Sequence, residues 1–340
     1  MTRRLPVYLL LDCSESMAGE PLNAMEAGIY KTISSLKKDP HALETVYVSV
    51  ISFAAKAKVL APLTEVVALK PPSLELRPGT ALGAALDLLR ESIKKDVEIT
   101  TAMSKGDWRP LVFILTDGQP TDDWRGPLAR LRAVKPSLAS VYGFGCGDEV
   151  DFETLAEVSD VCFQVSSLTT ESLSKLFVWL TASIQKSVVS PDQLVSLEKS
   201  DLPMVDGMKL IDRAQPPKFQ EKNARLYFHS VCVKTKRHYL IRYRFNPEIG
   251  LYFSEPSVTL PDDFFSDGAA KAPGVDASLL LQGPKCPYCQ NHGWGKCGFC
   301  GHLFCLDPDN PAPTVVCPFC ESHLTIDQSA EDFRVDGSVG

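Results

Sequence analysis

The stretch LLLDCSES, Leu9 to Ser16, decides how the chain is read. An apolar run over residues 7–11 stops at Asp12, and Ser14 and Ser16 follow at alternating positions. Two further pieces answer it from far along the chain: Thr80 in RPGTALGAAL and Asp117 in LVFILTDGQPTDD. Each lies where an apolar strand or a glycine turn gives way to a predicted helix. In a parallel α/β sheet such junctions gather at the carboxyl ends of the strands, where ligands bind. Two carboxylates and three hydroxyls form an oxygen-only set, suited to a hard divalent ion, Mg2+ or Mn2+, that keeps part of its water. Any one of these residues could instead cap a helix, because Ser, Thr and Asp are preferred N-caps. A lone D-x-S-x-S would be read that way. All five, in order and each at a strand end, read as one metal site.

Working outward, unbroken apolar runs predict buried strands over residues 5–11 and 111–116. Residues 46–53, rich in β-branched side chains, predict another, with 56–60 as a short antiparallel edge. Residues 139–144 and 161–165 complete the strands of this half. Leu22, Met25, Ile29, Ile33 and Leu36 share one face at helical spacing, which predicts a helix over 21–36 that Pro40 stops. Further helices are expected over 80–93, 122–134, 151–158 and 170–187. Strands alternating with helices predict an α/β fold with a doubly wound, mostly parallel sheet over residues 1–189. The glycines of GFGCG, residues 143–147, are expected in a tight turn at a strand end. They do not form the dinucleotide-binding G-x-G-x-x-G. Asp122 and Asp123 are expected to cap the helix that follows them.

The texture changes after residue 190. Pro191, Pro203, Pro216 and Pro217 break the periodicity, and alternating stretches over 225–234, 237–245 and 251–253 predict strands. We expect a linker and small β-rich segment over 190–275, including a further linker at 268–274. A cysteine-rich module follows over 276–327, and a frayed polar tail over 328–340. The basic run KTKRH, Lys234 to His238, is expected to be a hairpin turn.

The composition fits a soluble chain of two or three domains. It has 340 residues, 44% of them hydrophobic, and a net charge of −7, which argues against a general nucleic-acid binder. No apolar run is long enough to span a bilayer. Arg3 and Arg4 ahead of LPVYLLL faintly resemble a signal sequence, but Asp12 interrupts the run where a small residue should sit. The expected localisation is cytoplasmic.

Of the 11 cysteines, Cys13, Cys146, Cys162 and Cys232 are scattered among apolar residues and are expected to be reduced core thiols. The other seven crowd between Cys286 and Cys320, which in a reducing compartment reads as zinc. Cys286/Cys289, Cys297/Cys300 and Cys317/Cys320 are C-x2-C pairs, and His302/Cys305 repeats the spacing. Eight such ligands suffice for two tetrahedral Zn2+ ions, closed and therefore structural. Neighbouring pairs could share an ion, giving Cys286, Cys289, Cys297 and Cys300, then His302, Cys305, Cys317 and Cys320. Interleaved pairs would put Cys286, Cys289, His302 and Cys305 on one ion and Cys297, Cys300, Cys317 and Cys320 on the other. Crossed loops restrict the unfolded chain more, so we expect interleaving. A single-zinc ribbon of Cys286, Cys289, Cys317 and Cys320 is the third arrangement.

The set Asp12, Ser14, Ser16, Thr80 and Asp117 resembles the metal-ion-dependent adhesion site of von Willebrand factor A domains. The resemblance implies that the serines and threonine ligate Mg2+ (or Mn2+) directly, that the aspartates act mostly through water, and that a protein partner supplies an acidic ligand. Cys13 and Glu15 fill positions where the family often has other residues, and Glu15 adds negative charge. With the terminal cysteine module, and with PLVFILTDGQPTDDW and HALETVYVSVISF, the chain resembles the TerY-like proteins of bacterial tellurium-resistance systems. That resemblance implies a non-enzymatic adaptor in stress response, associated with a Ser/Thr kinase and a PP2C-type phosphatase, with neither membrane nor nucleic acid as partner. The competing classes are a Mg2+-dependent phosphohydrolase, for which the motifs provide no Lys or His base, and a RING-like or nucleic-acid-binding zinc unit, for which ligand rhythm alone is no argument.

Overall fold

Eight consecutive buried residues form β1 (Leu5–Asp12) at the centre of a seven-stranded sheet. A strand covered on both faces has no polar side to alternate with, hence the unbroken apolar run. In this computed structural model, the described residues are 3–134, 140–147, 149–189, 206–218, 225–261, 263–264, 275–306 and 314–325, with backbone alone for 334–335 and 338–339. The chain divides into two units, Met1–Glu75 with Thr80–Phe219, and Leu76–Gly79 with Gln220–Gly340.

In the first unit β1 lies parallel between β2 (Val46–Phe53) and β4 (Leu111–Thr116). β5 (Ser140–Cys146) and β6 (Val161–Val165) continue in parallel beyond β4. β3 (Ala57–Glu65) and β7 (Met208–Leu210) pair antiparallel at the two edges, giving the order β3-β2-β1-β4-β5-β6-β7. The helices are α1 (Glu20–Leu36), α2 (Pro40–Thr45), α3 (Leu82–Asp96), α4 (Arg125–Arg132), α5 (Phe152–Val158) and α6 (Thr170–Val189).

Strand parity sorts the core into two layers. Tyr8, Leu10, Val112, Ile114, Val141 and Cys162 pack with Leu86 and Leu89 of α3, Leu128 of α4 and Leu155 of α5. On the other parity, Phe113, Tyr142, Phe144 and Phe163 stack in a row, and Trp179 of α6 meets three of them edge-on. α1 lies against α6 so closely that a Cβ on Gly28 would fall 2.0 Å from Phe177 Cδ2.

Three local expectations change. Pro40 does not merely end α1: it opens α2 from its first turn, with Asp39 accepting hydrogen bonds from the amides of His41 and Ala42. α4 starts later than its periodicity suggests, because Asp122 is engaged elsewhere. Gly143 and Gly145 lie inside β5, where a Cβ would strike Leu155 and Phe152 of α5 respectively; they let α5 approach the sheet. Only Gly147, at φ +94, occupies a turn that needs glycine.

The second unit is a sheet of order β12-β10-β9-β8-β14-β13. Its antiparallel meander is β8 (Arg225–Val231), β9 (His238–Asn246) and β10 (Leu251–Thr259). β11 (Val275–Asp276) and β12 (Leu280–Leu281) follow, then β13 (Gly293–Lys296) and β14 (Leu303–Leu306), a hairpin whose second strand pairs in parallel with β8. β15 (Thr314–Val316) and β16 (His323–Thr325) form a separate hairpin. The sequence reading divides the chain at residue 275, yet the β14–β8 pairing crosses that boundary, and Leu226, Phe228, Tyr243, Cys286 and Leu303 share one core. Within the polar tail, β17 (Arg334–Val335) pairs with β11 and β18 (Ser338–Val339) with β8. The stretch expected as a linker at 268–274 lies outside the described residues. Among the described residues no helix is long and apolar enough to cross a membrane.

Candidate metal centres

At the carboxyl end of β1 the chain leaves the sheet at Asp12 and turns through a short 3-10 helix, Glu15–Met17. The Ser14 amide donates to Asp12 Oδ1 at 3.0 Å, which folds the serine back over the strand end. Ser14 Oγ and Ser16 Oγ are 2.9 Å apart, and Ser16 Oγ donates to Asp117 Oδ1 at 2.7 Å. Asp117 follows the last residue of β4, the neighbour of β1. The Thr80 backbone is tied to Thr121, four residues after Asp117: its amide donates to Thr121 Oγ1 at 3.0 Å, and the Thr121 amide donates to the Thr80 carbonyl at 2.9 Å. The Asp12, Ser14, Ser16, Thr80 and Asp117 side chains are all buried.

Helix capping does not account for these hydroxyls. Ser14 stands at the N-cap of the 3-10 helix but its side chain makes no capping bond. The N-cap of α3 is Ala81, not Thr80. The capping of α3 falls to Asp122, whose carboxylate accepts from the amides of Gly83 and Ala84 at 2.8 and 2.9 Å. Asp122 and Asp123 were both expected to cap the helix after them; only Asp123 bonds there, accepting from the Arg125 amide, and the N-cap itself is Trp124. The fit is tight, since a Cβ on Gly83 would lie 2.2 Å from the Asp123 carbonyl oxygen. The Thr80 and Asp117 loops are thereby held together.

Two buried carboxyls, Asp12 and Asp117, act on each other here. Burial pushes the Asp12 carboxyl up to about 6, against hydrogen bonds from Thr116 and Ser14 that favour its charge. Thr116 Oγ1 donates to Asp12 Oδ2 at 2.6 Å. Burial, then the charge of Asp12, raises Asp117 well above the usual carboxylate range, and Glu149 adds to it. Glu15 acts on Asp12 in the same sense. Glu15 and Glu149 are themselves buried. A divalent ion among these oxygens would remove the repulsion. Cys13 and Cys146 lie close enough for the two aspartates to raise their thiols, with burial as the larger cause, so both are neutral core thiols.

The second unit gathers sulfur. Cys232, Cys286, Cys289 and Cys305 form one group, and Cys297, Cys300, Cys317 and Cys320 another; within each, the sulfurs all lie within 4.8 Å of one another. Pairs are separated by 3.5 Å (Cys289 and Cys305), 3.7 Å (Cys297 and Cys320) and 3.8 Å (Cys300 and Cys317). Four sulfurs about 2.3 Å from a tetrahedral zinc stand about 3.8 Å apart, so both groups have the dimensions of a closed zinc site. None of the 11 cysteines is in a disulfide.

His302, expected as a ligand of the first ion, lies outside that group, and Cys232, expected as a core thiol, takes the place. The expectation assumed an extended backbone between Cys300 and His302. Instead Gly301 is left-handed at φ 76, the His302 carbonyl accepts from the Cys297 amide, and the imidazole stacks on Phe319 with ring centroids 3.6 Å apart. Cys232 differs from the other scattered thiols. Burial would raise it, but hydrogen bonds led by the Thr235 side chain bring it down to about 7. Its only sequence signal was proximity to the basic hairpin turn, which carries no C-x2-C.

The profile of the von Willebrand factor type A domain matches residues 7–177. Solved structures similar to this chain include von Willebrand factor type A from Catenulispora acidiphila, at 17% identity and TM-score 0.39 over 54% of this chain and 43% of that one. The ArnB paralog VWA2 from Sulfolobus acidocaldarius is 15% identical, with TM-score 0.39 over 53% of this chain and 45% of that one. Proximal thread matrix protein 1 from the mussel byssus, with a zinc-occupied MIDAS motif, is 17% identical, with TM-score 0.40 over 55% and 48%. The chain thus spans less than half the length of each of these three. No curated protein matches it. With the doubly wound sheet in place and half of its length matched, the chain belongs to the von Willebrand factor type A domain family.

Proposed function

We propose that this protein is a non-enzymatic adaptor that binds a protein partner through a Mg2+ or Mn2+ ion held at Asp12, Ser14, Ser16, Thr80 and Asp117. The observation that carries this reading is the buried chain of oxygens from Asp12 through Ser14 and Ser16 to Asp117, on which Glu15 and Glu149 also act. Such a chain is costly without a cation and well suited to one. The serine hydroxyls and Thr80 would ligate directly, and the open coordination position would take an acidic side chain of the partner. Glu15 and Glu149 each raise the neighbouring aspartate, and a bound ion would offset that effect.

The two cysteine groups would each hold one structural Zn2+, closed by four thiolates and leaving no position for substrate. Cysteines grouped as C-x2-C pairs for metal fit a reducing compartment, which supports a cytoplasmic location. Resemblance to the TerY-like proteins supports a role in bacterial tellurium resistance or stress response beside a Ser/Thr kinase and a PP2C-type phosphatase. An affinity pulldown from native cells, with and without chelator, tests the reading. Partners released by EDTA and restored by Mg2+ are expected; a partner set indifferent to EDTA, or Mg2+-dependent phosphatase turnover lost in Asp12→Ala, would overturn it.

A further inference from the structure

Four turns of the second unit share one backbone design. They begin at Cys232, Cys286, Cys297 and Cys317. In each, the amide of that cysteine donates to the carbonyl five residues on: Arg237 at 2.9 Å, Asn291 at 2.7 Å, His302 at 2.9 Å and Ser322 at 2.9 Å. In each, the amide of the fifth residue donates back to the carbonyl of the cysteine: Lys236 at 2.8 Å, Gln290 at 3.0 Å, Gly301 at 2.9 Å and Glu321 at 3.0 Å. That fifth residue is left-handed every time, at φ 60, 65, 76 and 62. Among the described residues only four non-glycines have positive φ, and three of them stand at this position. A non-glycine in this region is strained, so its recurrence in three of the four turns marks a constrained design and not three coincidences. The leading cysteine is buried in every case.

The turns differ at the fourth residue. Three have cysteine there, Cys289, Cys300 and Cys320, and the first has Thr235. The Thr235 amide nonetheless points at the Cys232 sulfur, 3.4 Å away, as the Cys300 amide points at Cys297 at 3.5 Å. The Thr235 hydroxyl also reaches the Cys232 sulfur. Amide-to-sulfur bonds of this kind hold a metal-bound thiolate in place. Cys305 then stands beside this turn: its sulfur accepts from the Val233 amide at 3.3 Å and lies 3.5 Å from Cys289.

Resting on the reading of the cysteine groups as zinc sites, we propose that residues 232–237 are a fourth zinc knuckle with threonine in place of its second ligand, that Cys305 supplies the missing thiolate, and that position 235 is a latent ligand position for Zn2+. A neutral hydroxyl is a poor match for zinc beside thiolates, so the knuckle alone offers one ligand and needs a donor from another strand. Cys305, on β14, is that donor. The consequence is an asymmetry between the two ions. The second site joins two complete knuckles, at 297–300 and 317–320. The first ties the β8–β9 turn, the knuckle at 286–289 and β14 together, so its metal fastens the meander to the cysteine-rich segment. Binding free energy at such a site is folding free energy.

Zinc content per full-length chain, measured by elemental analysis on purified protein, tests this. The unmodified protein is expected to hold two ions, and Cys232→Ala and Cys305→Ala one each. Cys305→Ala with Thr235→Cys is expected to return to two, whereas Cys305→Ala with Val233→Cys should stay at one. Should Cys305→Ala fail to fold, recovery of a folded, two-zinc protein on adding Thr235→Cys is the readout. Two ions retained in Cys232→Ala would overturn the proposal, as would no recovery with Thr235→Cys. A zinc-free unmodified protein would instead remove the reading of both cysteine groups, and this inference with it.

Discussion

Ser16 donates its hydroxyl hydrogen to Asp117, Oγ to Oδ1 at 2.7 Å, across 101 residues of sequence. This bond joins the buried loop after β1 to the end of β4, where Asp117 also meets the field of Asp12. Two buried carboxylates in one pocket set stability against metal binding. Asp117→Asn should remove a repulsion and keep most of the hydrogen bonding. The metal-free variant is expected to be more stable than the parent by roughly 1–3 kcal/mol. It should also lose Mg2+-dependent partner binding. Chemical denaturation in EDTA, beside calorimetric titration with Mg2+, reads both; a less stable metal-free variant would show that the charges are not in conflict.

The pH dependence has a definite sign. In the metal-free protein Asp12 is held at about 6, above its value in an unfolded chain, chiefly by burial. A raised carboxyl adds stability while protonated, and that contribution is lost as pH rises from the unfolded value through about 6. Metal needs the carboxylate, so the rise in melting temperature caused by Mg2+ should be small at pH 5 and larger at pH 7. A rise independent of pH across this window would mean that Asp12 is ionised without metal.

Gly28 exists for the closeness of α1 and α6. A Cβ there would lie 2.0 Å from Phe177 Cδ2, on a buried ring with no room to retreat. Alanine improves helix propensity by about 1 kcal/mol over glycine. Overpacking typically costs about 1–3 kcal/mol, so Gly28→Ala should lower the urea midpoint. A raised midpoint would mean that the helices can part without loss.

Lys236 offers the converse test. Its φ of 60 matches that of Gly301 in the third turn. Relief of left-handed strain is worth about 1–2 kcal/mol, part of which the more flexible unfolded chain takes back. Lys236→Gly should therefore raise the melting temperature of the zinc-loaded protein, and Lys236→Val should lower it. The opposite order would exclude a left-handed residue at this position.

Much of the first unit was legible because its signals are local. An unbroken apolar run such as residues 5–11 can be buried on both faces only in the middle of a sheet, and Asp12 and Asp117 follow such runs directly. Strand edges were less legible. β7 is three residues long and makes its bonds with β6, so nothing in its own sequence announces it. Asp122 looked like a local cap because capping is usually local, whereas it serves α3 from across the pocket.

The cysteine spacing alone marked the cysteine-rich segment as one that could hold metal ions, because C-x2-C places two sulfurs on one turn whatever surrounds it. Which sulfurs lie together was decided by tertiary structure. The register that sets Leu303 opposite Ser230 brings Cys305 to the turn at Cys232, and no periodicity in either segment encodes that meeting. His302 was lost to the first group for a similar reason: the left-handed turn at Gly301 and the face of Phe319 direct its ring away. Sequence specifies ligand chemistry and local turns, but a ligand set drawn from distant strands exists only after those strands have paired, since only then do their side chains occupy a common volume.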